Sequence, residues 1–85
     1  MINYTWLVKN ITADMRGYAT IGYFELQGTN DLGTVATSSI TVCFGADELR
    51  PIAQWTQAVI DNYAESKRAD MEVDLTARIT ALEAK

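Results

Sequence analysis

Chemistry in this chain would have to come from carboxylates. There are eleven Asp and Glu side chains, one cysteine and no histidine. Histidine is the usual general base near neutral pH and the commonest transition-metal ligand, so both roles fall to weaker candidates. Two carboxylates can divide acid and base duties when they share a site. Asp14, Glu25 and Asp31 are the acidic residues of the first half. They fall in two connections and one strand, and no common site can be built from them. Asn30-Asp31 invites a calcium reading, but a calcium loop supplies several oxygen ligands at fixed intervals. With a single carboxylate it reads as a turn. Cys43 is alone, which rules out an intrachain disulfide or thiolate cluster. Within Ile40-Thr41-Val42-Cys43-Phe44 it reads as a small buried hydrophobe. No glycine-rich phosphate loop, nucleophile elbow or metal-ligand spacing is present. The expectation is a non-enzyme with no catalytic, cofactor or metal residues.

The elements that would position any site fall into two blocks, 1–45 and 46–85, within a single domain spanning 1–85. Ile2 to Ile11 alternates with a period of two and is rich in aromatic and β-branched residues, which predicts a strand. Ile2, Tyr4, Trp6 and Val8 share one face; Thr5, Leu7, Lys9 and Ile11 share the other. Tyr18 to Gln27 predicts a second strand, with Phe24 and Leu26 opposite Ile21 and Tyr23. Gly22 in its middle marks a bulge or a place where a large neighbour lies flat. Gly28-Thr29-Asn30-Asp31-Leu32-Gly33 is the clearest turn. Thr34 to Phe44 predicts a third strand, polar through Val35, Thr37, Ser39, Thr41 and Cys43, and apolar through Ala36, Ser38, Ile40, Val42 and Phe44. Short connections make an antiparallel three-stranded meander, and one helix can cover only one of its faces. Both faces of the first two strands carry large apolar residues, so the second face either needs a partner or is an open face whose Tyr and Trp side chains tolerate partial exposure.

From Asp47 the pattern turns helical. Asp47 can cap the helix and Glu48 suits its positive end. Pro51 is tolerable only in a first turn, and a start at Pro51 itself is the alternative. Apolar positions recur at Ile52, Trp55, Val59, Ile60 and Tyr63, then at Met71, Leu75, Ile79 and Leu82. One helix from Asp47 to Ala84 would run about 57 Å, against roughly 30 Å for a compact domain of this length. The amphipathic helix therefore either turns back near 66–70 or leaves the domain. In the second case the narrow stripe through Met71, Leu75, Ile79 and Leu82 needs a second chain, in the manner of a coiled-coil seam. The fold class is α+β, a β-meander followed by a long C-terminal helix. The interface candidates are Tyr4, Trp6, Trp55, Met71, Leu75, Ile79 and Leu82.

The net charge is −4 and the pI about 4.5, with eight acidic and five basic residues falling in 46–85. A phosphate-backbone binder needs a basic footprint, so direct nucleic-acid binding is not expected. The amino-terminal residues lack the basic-then-apolar pattern of a signal peptide, and Asn10-Ile11-Thr12 is not expected to be glycosylated. No run approaches the ~20 apolar residues that span a bilayer, so no membrane role is expected.

Three short motifs occur in order: Tyr4-Thr5-Trp6-Leu7-Val8, the Gly28–Gly33 turn, and Trp55-Thr56-Gln57-Ala58-Val59-Ile60 followed by Tyr63. Together they resemble a group of small uncharacterised proteins of marine cyanobacterial phages, whose pattern is a YTW strand, a GTD turn and a WxxAV helix. The connection from third strand to helix is shorter here than in that pattern. The resemblance implies a phage context and no settled activity. Within that context the uncovered apolar surfaces, the small size and the lack of catalytic residues lead to one expectation, and the acidic helix to a second. The first is a small virion-associated structural subunit (decoration, cement or tail-associated) that forms a homo-oligomer and contacts other phage structural proteins. The second is a host-directed binding protein or inhibitor in the host cytoplasm, docking on a host protein through Asp61, Glu65, Asp70, Glu72 and Asp74.

Overall fold

The computed structural model describes residues 1–84. Strands β1 (Asn3–Ala13), β2 (Ala19–Thr29) and β3 (Val35–Cys43) form an antiparallel sheet in the order β1-β2-β3, and helix α1 (Gln57–Glu83) follows. This is the expected α+β meander with its C-terminal helix. The β1–β2 connection closes on Gly17 (φ 86°), a left-handed position that glycine takes without strain. In the β2–β3 connection Asn30 Oδ1 accepts from the N–H groups of Leu32 and Thr34, and Gly33 supplies the second positive φ.

One irregularity decides which residues face the helix. The β1–β2 register shifts between Trp6 and Val8, leaving Leu7 as an extra residue. A bulge of this kind reverses the side-chain phase beyond it. Tyr4 and Trp6 point inward before the bulge, and Lys9 and Ile11 after it, opposite Phe24 and Gly22. The expectation that Ile11 lies on the face away from Trp6 is thereby corrected. Simple alternation cannot register an inserted residue.

The helix also departs from expectation at its start. Neither Asp47 nor Pro51 opens it. Residues 46–54 form two short 3-10 turns, Ala46–Glu48 and Ile52–Gln54, separated by extended backbone at Leu49 and Pro51. The residue before proline is held out of the helical region, and the segment instead finds strand-like partners. Ala19 N–H donates to Arg50 O, and Ile52 N–H donates to Gly17 O. The N-cap is Thr56, whose side chain accepts from Val59 N–H at 3.4 Å.

From there α1 runs unbroken through Ser66–Asp70, so the turn-back at 66–70 does not occur. Nor does the stripe wait for a second chain: Met71, Leu75 and Ile79 are 2%, 0% and 2% exposed within this one. The reason is a match of lengths. A helix of 27 residues spans about 40 Å, and a strand of 11 residues about 37 Å. The molecule is a rod, 48 × 20 × 18 Å with a radius of gyration of 15.1 Å. The expectation of a ~30 Å compact domain fails because the strands are nearly as long as the helix.

The core lies between α1 and the inner face: Ile11, Phe24 and Leu26 from the sheet, Ala64, Met71 and Leu75 from the helix. Gly28 lets the two layers close up. A Cβ there would stand 3.3 Å from both Ile2 Cγ2 and Ile79 Cδ1. Gly22 makes room within the sheet instead: a Cβ there would stand 3.0 Å from Phe24 Cε2 and 3.1 Å from Ile11 Cδ1, the large neighbours its mid-strand position suggested.

Candidate docking surfaces

The helix-covered face is closed by polar ties along β1. Lys9 Nζ lies 2.7 Å from Asp61 Oδ1, and Gln57 Nε2 donates to the same oxygen at 2.8 Å. These two contacts, the lysine first, hold the Asp61 carboxyl below its usual range. Trp6 Nε1 donates to Glu65 Oε1 at 3.4 Å, and the Tyr4 and Thr76 hydroxyls are 3.1 Å apart. Arg68 bridges Glu65 and Glu72, at 3.4 and 2.7 Å. The Ser38 hydroxyl and the Arg78 guanidinium hold the Asp74 carboxyl down in the same way. Four of the five carboxylates considered for an acidic docking face are thus engaged by neighbours in the chain. Asp70 is the exception, exposed and without an ion pair among the described residues.

At one end of the rod an aromatic group joins strand, connection and helix. The Phe44 ring centre is 5.1 Å from Trp55 and 5.6 Å from Tyr63, and Trp55 and Tyr63 meet edge to face at 5.7 Å. Arg50 stacks over Trp55 with its Cζ 5.1 Å from the ring centre. Burial and the nearby Glu48 charge raise the Tyr63 phenol. The Trp55 indole N–H is buried without a hydrogen-bond partner among the described residues.

The interface candidates therefore divide. Met71, Leu75 and Ile79 are core. Tyr4, Trp6 and Trp55 are half-buried against it. Leu82 remains open, at 45% exposed. It borders a groove of about 360 Å³ with Ala36, Thr37, Arg78 and Ala81, at the junction of β3 and the end of α1. A second shallow groove, lined by Tyr4, Glu72, Val73 and Thr76 among others, runs along the β1 side.

Among the described residues nothing lies over the opposite sheet face. Leu7, Ile21, Tyr23 and Val35 are exposed there among Thr5, Thr12, Gln27, Ser39 and Thr41, with Glu25 accepting from the Tyr23 hydroxyl at 3.1 Å. Ile21 and Tyr23 were legible from alternation. Alternation grouped Leu7 with Lys9 and Ile11, which face the helix; the bulge that separates them and gives Leu7 a same-side neighbour in Val8 was not legible. Cys43 belongs to this face and is exposed, so its reading as a buried residue is corrected. The strand has a solvated side, and the period of two puts Cys43 on it.

The remaining carboxylates are far apart in the fold. Asp14 caps the β1–β2 turn, accepting from Arg16 and Tyr18 N–H, and the Arg16 guanidinium holds its carboxyl down. Asp31 sits in the β2–β3 turn at the other end of the sheet. Among the described residues no three of His, Cys, Asp and Glu are grouped to hold a metal ion, and no helix is long and apolar enough to cross a membrane. Compared with protein-family models, curated proteins and solved structures, the chain gives no match.

Proposed function

We propose that this protein acts by docking and self-assembly, as a small virion-associated structural subunit of a phage. The observation that carries the reading is the uncovered sheet face, with Leu7, Ile21, Tyr23 and Val35 exposed beside one another's strands. Among the described residues no element is left to cover it, and an apolar face rimmed by Thr, Ser and Gln suits a protein partner. The phage context rests on the resemblance of the three short motifs. A rod 48 Å long with a polar turn at each end of its sheet suits lying along a larger assembly.

The inhibitor reading is less favoured. Asp61, Glu65, Glu72 and Asp74 already have cations or donors of their own. A basic partner would have to break those contacts before forming its own.

Mass spectrometry of purified particles tests the proposal. The protein should copurify with particles at a fixed stoichiometry. Its absence from particles, with the protein abundant in infected-cell lysate, would reject it.

A further inference from the structure

The two edges of the sheet differ. The β1 edge carries the Leu7 bulge and an inward-pointing charge, Lys9, both of which discourage a further strand. The β3 edge has neither. Val35–Cys43 pairs with β2 through nine residues without a register shift, and contains no charged residue, proline or glycine. Among the described residues no other segment bonds to its outer side.

We propose that β3 pairs antiparallel with β3 of a second copy of this chain, about a twofold axis through Ser39. The two three-stranded sheets then become one six-stranded sheet. This deepens the self-assembly reading and rests on it.

The hydrogen-bond phase selects the pairing. Phe44 N–H donates to Thr20 O, which continues the Ile21–Cys43 register. Antiparallel ladders alternate, so even-numbered residues of β3 bond to β2 and odd-numbered residues face the free edge. Val35, Thr37, Ser39, Thr41 and Cys43 therefore aim their N–H and C=O groups outward. With the axis at Ser39, Val35 opposes Cys43 of the second copy, Thr37 opposes Thr41, and Ser39 opposes itself. Every odd residue meets an odd residue. About ten main-chain hydrogen bonds form, the usual number for a protein interface. The side-chain pairs are Thr with Thr and Val with Cys, with no charge brought against a like charge.

The groove at Leu82 supports the same register. On the inner face Ala36 comes opposite Val42 of the second copy. Ala36, Ala81 and Leu82 line that groove, so the incoming valine has an apolar seat there.

The test uses the full chain. Light scattering over a dilution series should give a dimer of the 9.4 kDa chain, and Ser39→Lys should halve the mass with unchanged circular dichroism. Ser39 is exposed, so the substitution spares the monomer. In a Cys43→Ser background, Ser39→Cys should cross-link to itself on mild oxidation. Its two Cα atoms would lie about 5.5 Å apart, within disulfide reach. Ile21→Cys, one strand further in, should not cross-link. A monomer at every concentration overturns the proposal. So does a dimer that survives Ser39→Lys, or one that cross-links through Ile21→Cys and not Ser39→Cys. Presence in particles with a monomer in solution rejects edge pairing alone; a dimer absent from particles rejects the virion reading alone.

Discussion

Lys9 and Asp61 meet at 2.7 Å on the helix-covered side of the sheet. A lysine in a strand of alternating residues reaches that side because Leu7 is inserted two positions earlier. The bulge and the ion pair are one device: the first turns the charge inward, and the second neutralises it where it would be costly to leave unpaired.

The pH dependence of stability follows from such carboxylates. Asp14, Asp61 and Asp74 are all held below the ordinary carboxyl range, by Arg16, by Lys9 and by Ser38 with Arg78 respectively. A lowered folded-state pKa adds stability that is present above the unfolded value near ~3.9 and is lost as pH falls through the folded value. Urea unfolding should therefore show a plateau at neutral pH and a decline below about pH 4. Asp61→Asn should lower the plateau and flatten the decline. An Asp61→Asn deficit that stays constant into strong acid would contradict this assignment.

Leu7 is the residue of β1 whose removal should be tolerated. With it deleted, Trp6 still pairs with Leu26 and Val8 with Glu25, and the strand alternates without interruption, Tyr4, Trp6, Lys9 and Ile11 all staying on the covered side. The cooperative thermal transition should survive, with a loss below about 2 kcal/mol. Deleting Asn10 instead puts Ile11 out of phase with Lys9, so that one of them must turn to solvent, and the loss should exceed about 3 kcal/mol. Equal effects from the two deletions would count against the bulge.

The helical stripe is core rather than a subunit seam. Leu75→Ala should destabilise by roughly 2–5 kcal/mol, as buried leucine truncations do. That loss should be the same across protein concentration, whereas a seam would make it concentration-dependent. Gly28→Val should cost about 1–3 kcal/mol by forcing Ile79 and the helix outward.

The open face should be dispensable for folding and necessary for docking. Ile21→Thr combined with Leu7→Gln should leave the unfolding free energy within about 1 kcal/mol of the parent, since both residues are substantially exposed. The same pair should abolish incorporation into particles. Normal incorporation of the stable double variant would remove the sheet face from the docking reading.

Local periodicity determined much of this fold in advance. Alternation in Ile2–Ile11, Tyr18–Gln27 and Thr34–Phe44 announces three strands, and Gly17 and the Asn30–Gly33 turn announce their reversals. The absence of Gly and Pro after Pro51 announces a long helix. These signals are short-range: each depends on a side chain and its near neighbours along the chain. The position of the bulge, the shift of the helix start to Thr56, and the internal cover over Met71, Leu75 and Ile79 depend on contacts between distant residues. Arg50 and Ile52 leave the helix because Ala19 and Gly17 offer hydrogen bonds from another strand. Lys9 faces inward because Asp61 waits on a helix 52 residues away. The stripe is covered because strands and helix, built to different rises per residue, come out nearly equal in length. Only tertiary structure compares those lengths, so only it could decide that one chain closes its own core and leaves a sheet face and a strand edge open.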